Sequence, residues 1–266
     1  MNLKITVLGS GTSSGVPTIG CSCAVCRSTD PRDNRLRPSI LIDYQGRNIV
    51  IDTTPDFRAQ ILRARVQRLD AIVFTHGHAD HIMGLDDVRP FNYHQGGRIP
   101  IYAARPAFAI IERAFAYVFN NTSNTEERKA VPQLDVNLID ENPFDVFGLR
   151  FEPIPLTHGR DTIFGFRFGN AAYLTDHSDI PAASLERLRG LDVLFLDALR
   201  HKPHPTHSTL SASTETAQKL QAKRTYFTHM CHDVPHAATE AALPPGILLA
   251  YDGLEIEVEQ PAGPPG

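Results

Sequence analysis

His76-Gly77-His78-Ala79-Asp80-His81 follows directly on residues 70–75, a short and almost continuously apolar run. This junction restricts the fold more than any other part of the chain. On a helix, positions i and i+2 point away from each other, so His76 and His78 could not face a common point there. On a turn leaving a strand they can, and Gly77 and Gly84 give the backbone the freedom it needs. The pattern therefore predicts a buried strand, a polar turn at its end, and a helix beginning after His81. Asp80 and His81 then sit at the helix mouth. Four nitrogen and oxygen donors packed this closely suit Zn²⁺ or Mn²⁺.

Four solvated loop residues would be the plainer explanation, but other candidate donors also close strand-like runs. His158 ends Pro155-Leu156-Thr157-His158, Asp176 ends Tyr173-Leu174-Thr175-Asp176, and His229 ends Tyr226-Phe227-Thr228-His229. Loops leaving one sheet edge can bring such residues to one point.

The remaining pattern alternates strands with helices. Strands are expected at 3–8, 149–156, 164–168, 171–175, 193–197 and 225–228. A hairpin is expected from 39–43 and 48–52 around Gln45-Gly46. Helices are expected at 57–66, 105–119, 181–190 and 213–220. Residues 247–251 and 255–258 read as a terminal hairpin over Asp252-Gly253. The polar stretch 120–125 reads as an exposed excursion, and 261–266 as a disordered tail. No linker separates the halves, so the expectation is one α/β domain over 1–266, with two sheets inside and helices outside.

Composition narrows the chemistry. At 266 residues with 42% hydrophobic and 21% charged residues, the chain can bury a substantial core. A net charge of −4 argues against a broad phosphate-backbone footprint, so nucleic acid is not an expected partner. No apolar run approaches a membrane span and the N-terminal residues lack a signal-peptide pattern, which points to the cytoplasm and no membrane partner. Thiols stay reduced there, so clustered cysteines more often bind metal than pair.

HxHxDH with later single His, Asp and His at strand ends resembles the metallo-β-lactamase superfamily. That resemblance implies an αββα sandwich of two mixed sheets with two divalent ions, Zn or Mn, at one edge. It implies that His76, His78 and His158 hold one ion, Asp80, His81 and His229 the other, and that Asp176 bridges them. Asp80 at the fourth motif position is typical of the superfamily's hydrolases. Asp52, closing Ile49-Val50-Ile51-Asp52, resembles the aspartate that steadies the motif loop. Two ions about 3.5–4 Å apart can activate a bridging water against a phosphoryl or carbonyl centre. His207, in Thr206-His207-Ser208-Thr209, resembles the histidine that superfamily phosphodiesterases place over the leaving oxygen as general acid, a role suited to imidazole. His201 and His204 match no motif and read as solvated loop residues.

Cys21, Cys23 and Cys26 in Gly20-Cys21-Ser22-Cys23-Ala24-Val25-Cys26, together with Thr228-His229-Met230-Cys231-His232, resemble a narrower branch of phosphodiesterases acting on a cyclic ribose phosphate. In that branch three cysteines and a later histidine hold a structural zinc. Here the set would be Cys21, Cys23, Cys26 and His232, with Cys231 an alternative fourth ligand. A closed tetrahedral site has no position for substrate, so its role would be to clip two loops together. A redox CxxC at Cys23 to Cys26 is disfavoured because no helix opens there.

The expected activity is hydrolysis of small cyclic or diester phosphates, with Thr12 and Ser13 as candidate phosphate contacts. A tRNA 3′-processing nuclease would need a basic, glycine-rich arm, which the sequence lacks. A thioester or lactone hydrolase would leave His207 without a task. A non-catalytic carrier like the pyrroloquinoline quinone B-type protein fits an intact HxHxDH poorly. The resemblance also suggests a homodimer. Residues 105–144 depart from it and read as a lid or dimer element.

Overall fold

The computed structural model describes residues 2–119 and 130–259. The expected excursion at 120–125 and the tail at 261–266 lie outside the described residues.

Strand β1 (Asn2–Gly9) leads into the hairpin β2 (Ser39–Tyr44) and β3 (Arg47–Ile51). Gln45 and Gly46 both take positive φ, 53° and 75°, as a tight two-residue hairpin turn requires. Then follow α1 (Phe57–Arg63), β4 (Ala71–Val73), α2 (Ala79–Ile82), α3 (Arg89–Gln95) and β5 (Ile99–Ala104). The stretch expected as one helix at 105–119 is two, α4 (Arg105–Ala114) and α5 (Ala116–Phe119), broken at the non-helical Phe115. The strands β6 (Leu134–Ile139), β7 (Phe144–Val146), β8 (Leu149–His158), β9 (Asp161–Phe168) and β10 (Ala171–Leu174) come next. The chain continues through α6 (Ala182–Glu186), β11 (Val193–Asp197), α7 (Leu210–Leu220), β12 (Arg224–Thr228), α8 (His236–Ala242), β13 (Ile247–Leu249) and β14 (Glu255–Glu259).

Two seven-stranded mixed sheets face each other, ordered β14-β1-β2-β3-β4-β5-β6 and β13-β12-β11-β10-β9-β8-β7. Ile5, Ile42, Ile51 and Val73 of the first sheet pack against Phe166, Tyr173 and Phe195 of the second. Separate apolar layers, around Ile72 and Phe74 and around Leu194 and Phe227, seat the helices on the outer faces. This is the expected αββα sandwich.

Two further expectations need correction. Residues 247–251 and 255–258 do not form a hairpin: β13 pairs with β12 in one sheet and β14 with β1 in the other. The crossing is anchored by the Asp252 carboxylate, which accepts from the Ser10 and Leu36 N–H groups at 2.9 Å each. The backbone of Gly253 also donates to the Val7 carbonyl at 2.8 Å. These bonds pull the turn onto the first sheet. The second correction concerns α2, which begins at Ala79 with His78 as its N-cap, so Asp80 and His81 lie inside its first turn.

In each sheet one side runs parallel out to the edge, β3-β4-β5-β6 and β10-β11-β12-β13. Loops that leave the carboxyl ends of such strands commonly form a ligand crevice. Asp52, the motif turn, Asp176, Asp197 and His229 all sit at these ends, and His158 closes β8 beside them.

Candidate active site

The donor atoms of His76, His78 and His158 lie within 4.8 Å of one another, as do those of Asp80, His81, Asp176 and His229. Asp176 faces both groups. Its Oδ1 lies 3.2 Å from His81 Nε2 and 3.3 Å from His229 Nε2, while Oδ2 lies 3.9 Å from His76 Nε2. Every expected donor therefore reaches one rim.

Two of the rings are aimed by a bond to the other nitrogen. The His81 Nδ1–H donates to Asp52 Oδ2 at 2.7 Å, and the His158 Nδ1–H donates to the Thr206 carbonyl at 2.8 Å. Asp52, fully buried, also accepts from the Thr75 N–H at 2.9 Å and its hydroxyl at 2.7 Å. It thus holds the strand end on which the motif turn begins, as expected for the steadying aspartate. Such outer contacts select the tautomer that leaves Nε2 free.

The residues fit divalent cations. The inward atoms His76 Nε2, Asp80 Oδ2, His81 Nε2 and His229 Nε2 are buried and have no hydrogen-bond partner. Buried polar groups are ordinarily satisfied, so several orphans facing one point mark a binding site. The electrostatics agree. Burial alone would suppress the charge on His229, yet Asp176, Asp80 and Asp197 push its pKa up to about 9. His81 is likewise held well above the usual range, its desolvation outweighed by Asp176, Asp80 and Asp52. Buried carboxylates here demand positive charge, which bound cations would supply.

Asp52, Asp176 and His229 all take left-handed backbone conformations, with φ of 67°, 58° and 59°. Non-glycine residues adopt this region at a cost, in turns and helix ends and also at functional sites. The sequence carries no signal for this.

Beside the donors, His207 Nδ1 lies 2.8 Å from Asp197 Oδ2, and the His207 ring is 5.0 Å from that of His158 and 4.6 Å from that of His229. Asp197 is fully buried and was missed in the sequence, although it ends a strand as the other site residues do. His204 corrects the expectation of a solvated residue. It is half-buried, its ring lies 5.1 Å from that of His207, and its Nδ1 accepts from the Thr206 hydroxyl at 3.1 Å. His201 is exposed as expected. Thr12 is buried, with its N–H bound to the Met230 carbonyl at 3.1 Å, and Ser13 is exposed.

The cysteine cluster forms a separate group. His232 Nδ1 lies 3.1, 3.5 and 3.7 Å from the Sγ atoms of Cys21, Cys23 and Cys26. Cys231 turns away into the interior, where its Sγ accepts from the Asp233 N–H at 3.3 Å. The Cys26 N–H, donating to Cys23 Sγ, is the main reason that thiol's pKa falls to about 6, while desolvation raises that of Cys26 to about 11. Buried Arg35 reinforces the junction of the two loops, donating to the Cys231 carbonyl at 3.0 Å and the Val234 carbonyl at 2.6 Å.

A two-sheet sandwich with His and Asp donors gathered where its parallel strands end is the architecture of the metallo-β-lactamase superfamily. Residues 47–230 match the beta-lactamase superfamily domain. The chain belongs to that superfamily and, within it, to the PhnP family, since a crystallised diphosphatase of that family is 54% identical, with a TM-score of 0.91 and 98% of each chain covered. An octanoyltransferase of Porphyromonas gingivalis (strain ATCC BAA-308 / W83) is 38% identical over 97% of this chain, which spans only 52% of that protein. Zn²⁺-bound PqqB of Methylobacterium extorquens shares the fold, with a TM-score of 0.74, 19% identity, and 95% and 99% of the two chains covered. Among the described residues no helix is long and apolar enough to cross a membrane.

Proposed function

We propose that this protein is a phosphodiesterase acting on small cyclic or linear phosphate diesters. In this reading His76, His78 and His158 hold one divalent cation, Asp80, His81 and His229 a second, and Asp176 both. The observation that carries it is the set of buried, unpartnered donor atoms beside a histidine whose far nitrogen is held by a carboxylate. When bound, the two cations neutralise charge growing on a phosphoryl oxygen and lower the pKa of an attacking water.

The chain's own groups do the rest. Asp80 supplies one carboxylate oxygen to the donor set and orients the attacking water with the other. His207 donates its Nε2 proton to the leaving oxygen. Asp197 keeps the Nδ1 proton in place and stabilises the ring while it is charged. Cys21, Cys23, Cys26 and His232 hold a structural zinc that joins the loop after β1 to the loop carrying His229. The thiols accord with a cytoplasmic location.

The named activity of the PhnP-family relative, a diphosphatase, brings phosphoanhydrides into the same test. The P. gingivalis name describes a protein of about twice this chain's length and does not bear on the site. The test is a hydrolysis screen of cyclic ribose phosphates, cyclic nucleotides, linear diesters, diphosphates and tRNA precursors with Mn²⁺ and Zn²⁺. Turnover confined to carboxylic esters or thioesters would refute the reading.

A further inference from the structure

Between β11 and α7 the chain makes a loop closed at its base. The Leu199 N–H bonds the Ser208 carbonyl at 3.1 Å and the Leu210 N–H bonds the Arg200 carbonyl at 3.0 Å. Arg200 fixes the first half, donating to the Lys202 carbonyl at 3.1 Å and the Pro203 carbonyl at 3.0 Å. The second half is Pro203-His204-Pro205-Thr206-His207, where Pro205 disfavours helical backbone at His204. The His204 ring folds forward, and its Nδ1 accepts from the Thr206 N–H at 3.3 Å and the Thr206 hydroxyl at 3.1 Å. A side-chain acceptor on the N–H of the second residue ahead is the bond asparagine makes in an Asx turn.

Thr206 stands between two parts of the site. Its carbonyl accepts the His158 Nδ1–H at 2.8 Å, and its Cγ2 lies over Gly159, where an added Cβ would come within 2.8 Å. The next residue is His207, whose ring lies 5.1 Å from that of His204. With its N–H and hydroxyl both held, Thr206 presents its carbonyl to His158 and carries His207 onto Asp197. We propose that His204 is a positioning residue that, through Thr206, sets the proton donor His207 against the cation-holding His158. The proton donor's role rests on the phosphodiesterase reading, whereas the aiming of His158 does not.

An Nδ1 that accepts carries no proton, so the neutral ring bears its hydrogen on Nε2. Burial holds the His204 pKa below the usual imidazole range, helped by His207, Arg200 and His158 and opposed by Asp197. A neutral ring at this place also spares His207, once protonated, a like charge at its side.

The test uses the full chain with His204→Asn, His204→Gln and His204→Ala. Asparagine keeps an acceptor where Nδ1 stood, whereas the amide of glutamine reaches the place of Nε2. At saturating Mn²⁺, the Ala and Gln variants should lose about tenfold or more in kcat on diesters with an alkoxide leaving group. Release of p-nitrophenolate should fall by less than about threefold, and His204→Asn should recover most of the loss. Equal losses on both leaving groups, or rescue by glutamine in place of asparagine, would overturn the proposal. Two measurements need no turnover. Proton–nitrogen correlation NMR of the metal-free wild type should find His204 in the Nε2–H tautomer at neutral pH, and an Nδ1–H or doubly protonated ring would overturn the clamp. Calorimetric titration with Mn²⁺ should show affinity lowered by about tenfold in His204→Ala and restored in His204→Asn. Unchanged affinity in His204→Ala would overturn the aiming of His158. If the tautomer and the affinities hold while no phosphate diester is hydrolysed, the phosphodiesterase reading fails and the aiming of His158 stands.

Discussion

Asp197 Oδ2 and His207 Nδ1 lie 2.8 Å apart, with the carboxylate fully buried and the imidazole at the rim of the donor set. A histidine so held has one proton committed to the carboxylate and one nitrogen facing the reaction. General acid catalysis is worth roughly a hundredfold or more when the leaving group is poor. His207→Ala should therefore lower kcat on a methyl-alkoxide leaving group by about a hundredfold, and on p-nitrophenolate by less than about tenfold. Asp197→Asn should show the same selectivity. The check is the slope of log kcat against leaving-group pKa, and equal losses across the series would exclude the acid role.

Asp52 and His81 form the corresponding pair beneath the motif turn, 2.7 Å apart and both fully buried. Removing one partner of such a pair costs about 3–5 kcal/mol. Asp52→Ala should accordingly lower the melting temperature by roughly 6–20 °C in a chain of this size. The loss should persist with chelator present, because the bond belongs to the scaffold. A variant melting like the wild type would contradict this.

At neutral pH the metal-free site should hold a proton on His229, whose pKa is raised to about 9. Metal must displace that proton, so apparent affinity should climb as pH rises toward 9. Calorimetric loading in buffers of different ionisation enthalpy measures the proton release directly. Loading without release at neutral pH would refute the raised value.

Cys23→Ser should remove one metal per chain, the fraction that survives mild chelation in the wild type, and lower stability before it affects chemistry. Cys231→Ser should leave that metal in place, because Cys231 Sγ bonds the Asp233 N–H away from the cluster. Metal content of the two purified variants distinguishes them.

Two glycines test the packing. A Cβ at Gly84 would fall 2.0 Å from the Thr54 carbonyl oxygen, so Gly84→Ala should destabilise by about 3 kcal/mol or more. Gly46, at φ 75° with open space around it, should lose only about 1 kcal/mol on the same change. Denaturant midpoints of the two variants make the comparison.

Much of the site was legible because metal-donor chemistry is local in residue type. His76, His78, Asp80 and His81 announce themselves by spacing, and His158, Asp176 and His229 each stop an apolar run. Asp197 had the same strand-end signal, but its role comes from the His207 imidazole it meets, which that signal does not specify. His204 was misread because its burial comes from Thr206 and His207 folding over it, which no periodicity encodes. The terminal hairpin failed for a similar reason. Asp252-Gly253 has hairpin chemistry, but Ser10 and Leu36 bind the Asp252 carboxylate and carry β14 to the other sheet.

The order of residues by itself determined the alternation of strands and helices, the polar turn after β4 and the ligand types available. Those follow from side-chain period, backbone freedom and donor chemistry, all properties of neighbours along the chain. Only the tertiary structure decided which carboxylate faces which imidazole, and that His232 and not Cys231 turns toward the three thiols. Each of these depends on residues tens to hundreds of positions apart meeting across two sheets, where packing and the satisfaction of buried polar groups choose among partners that sequence leaves open.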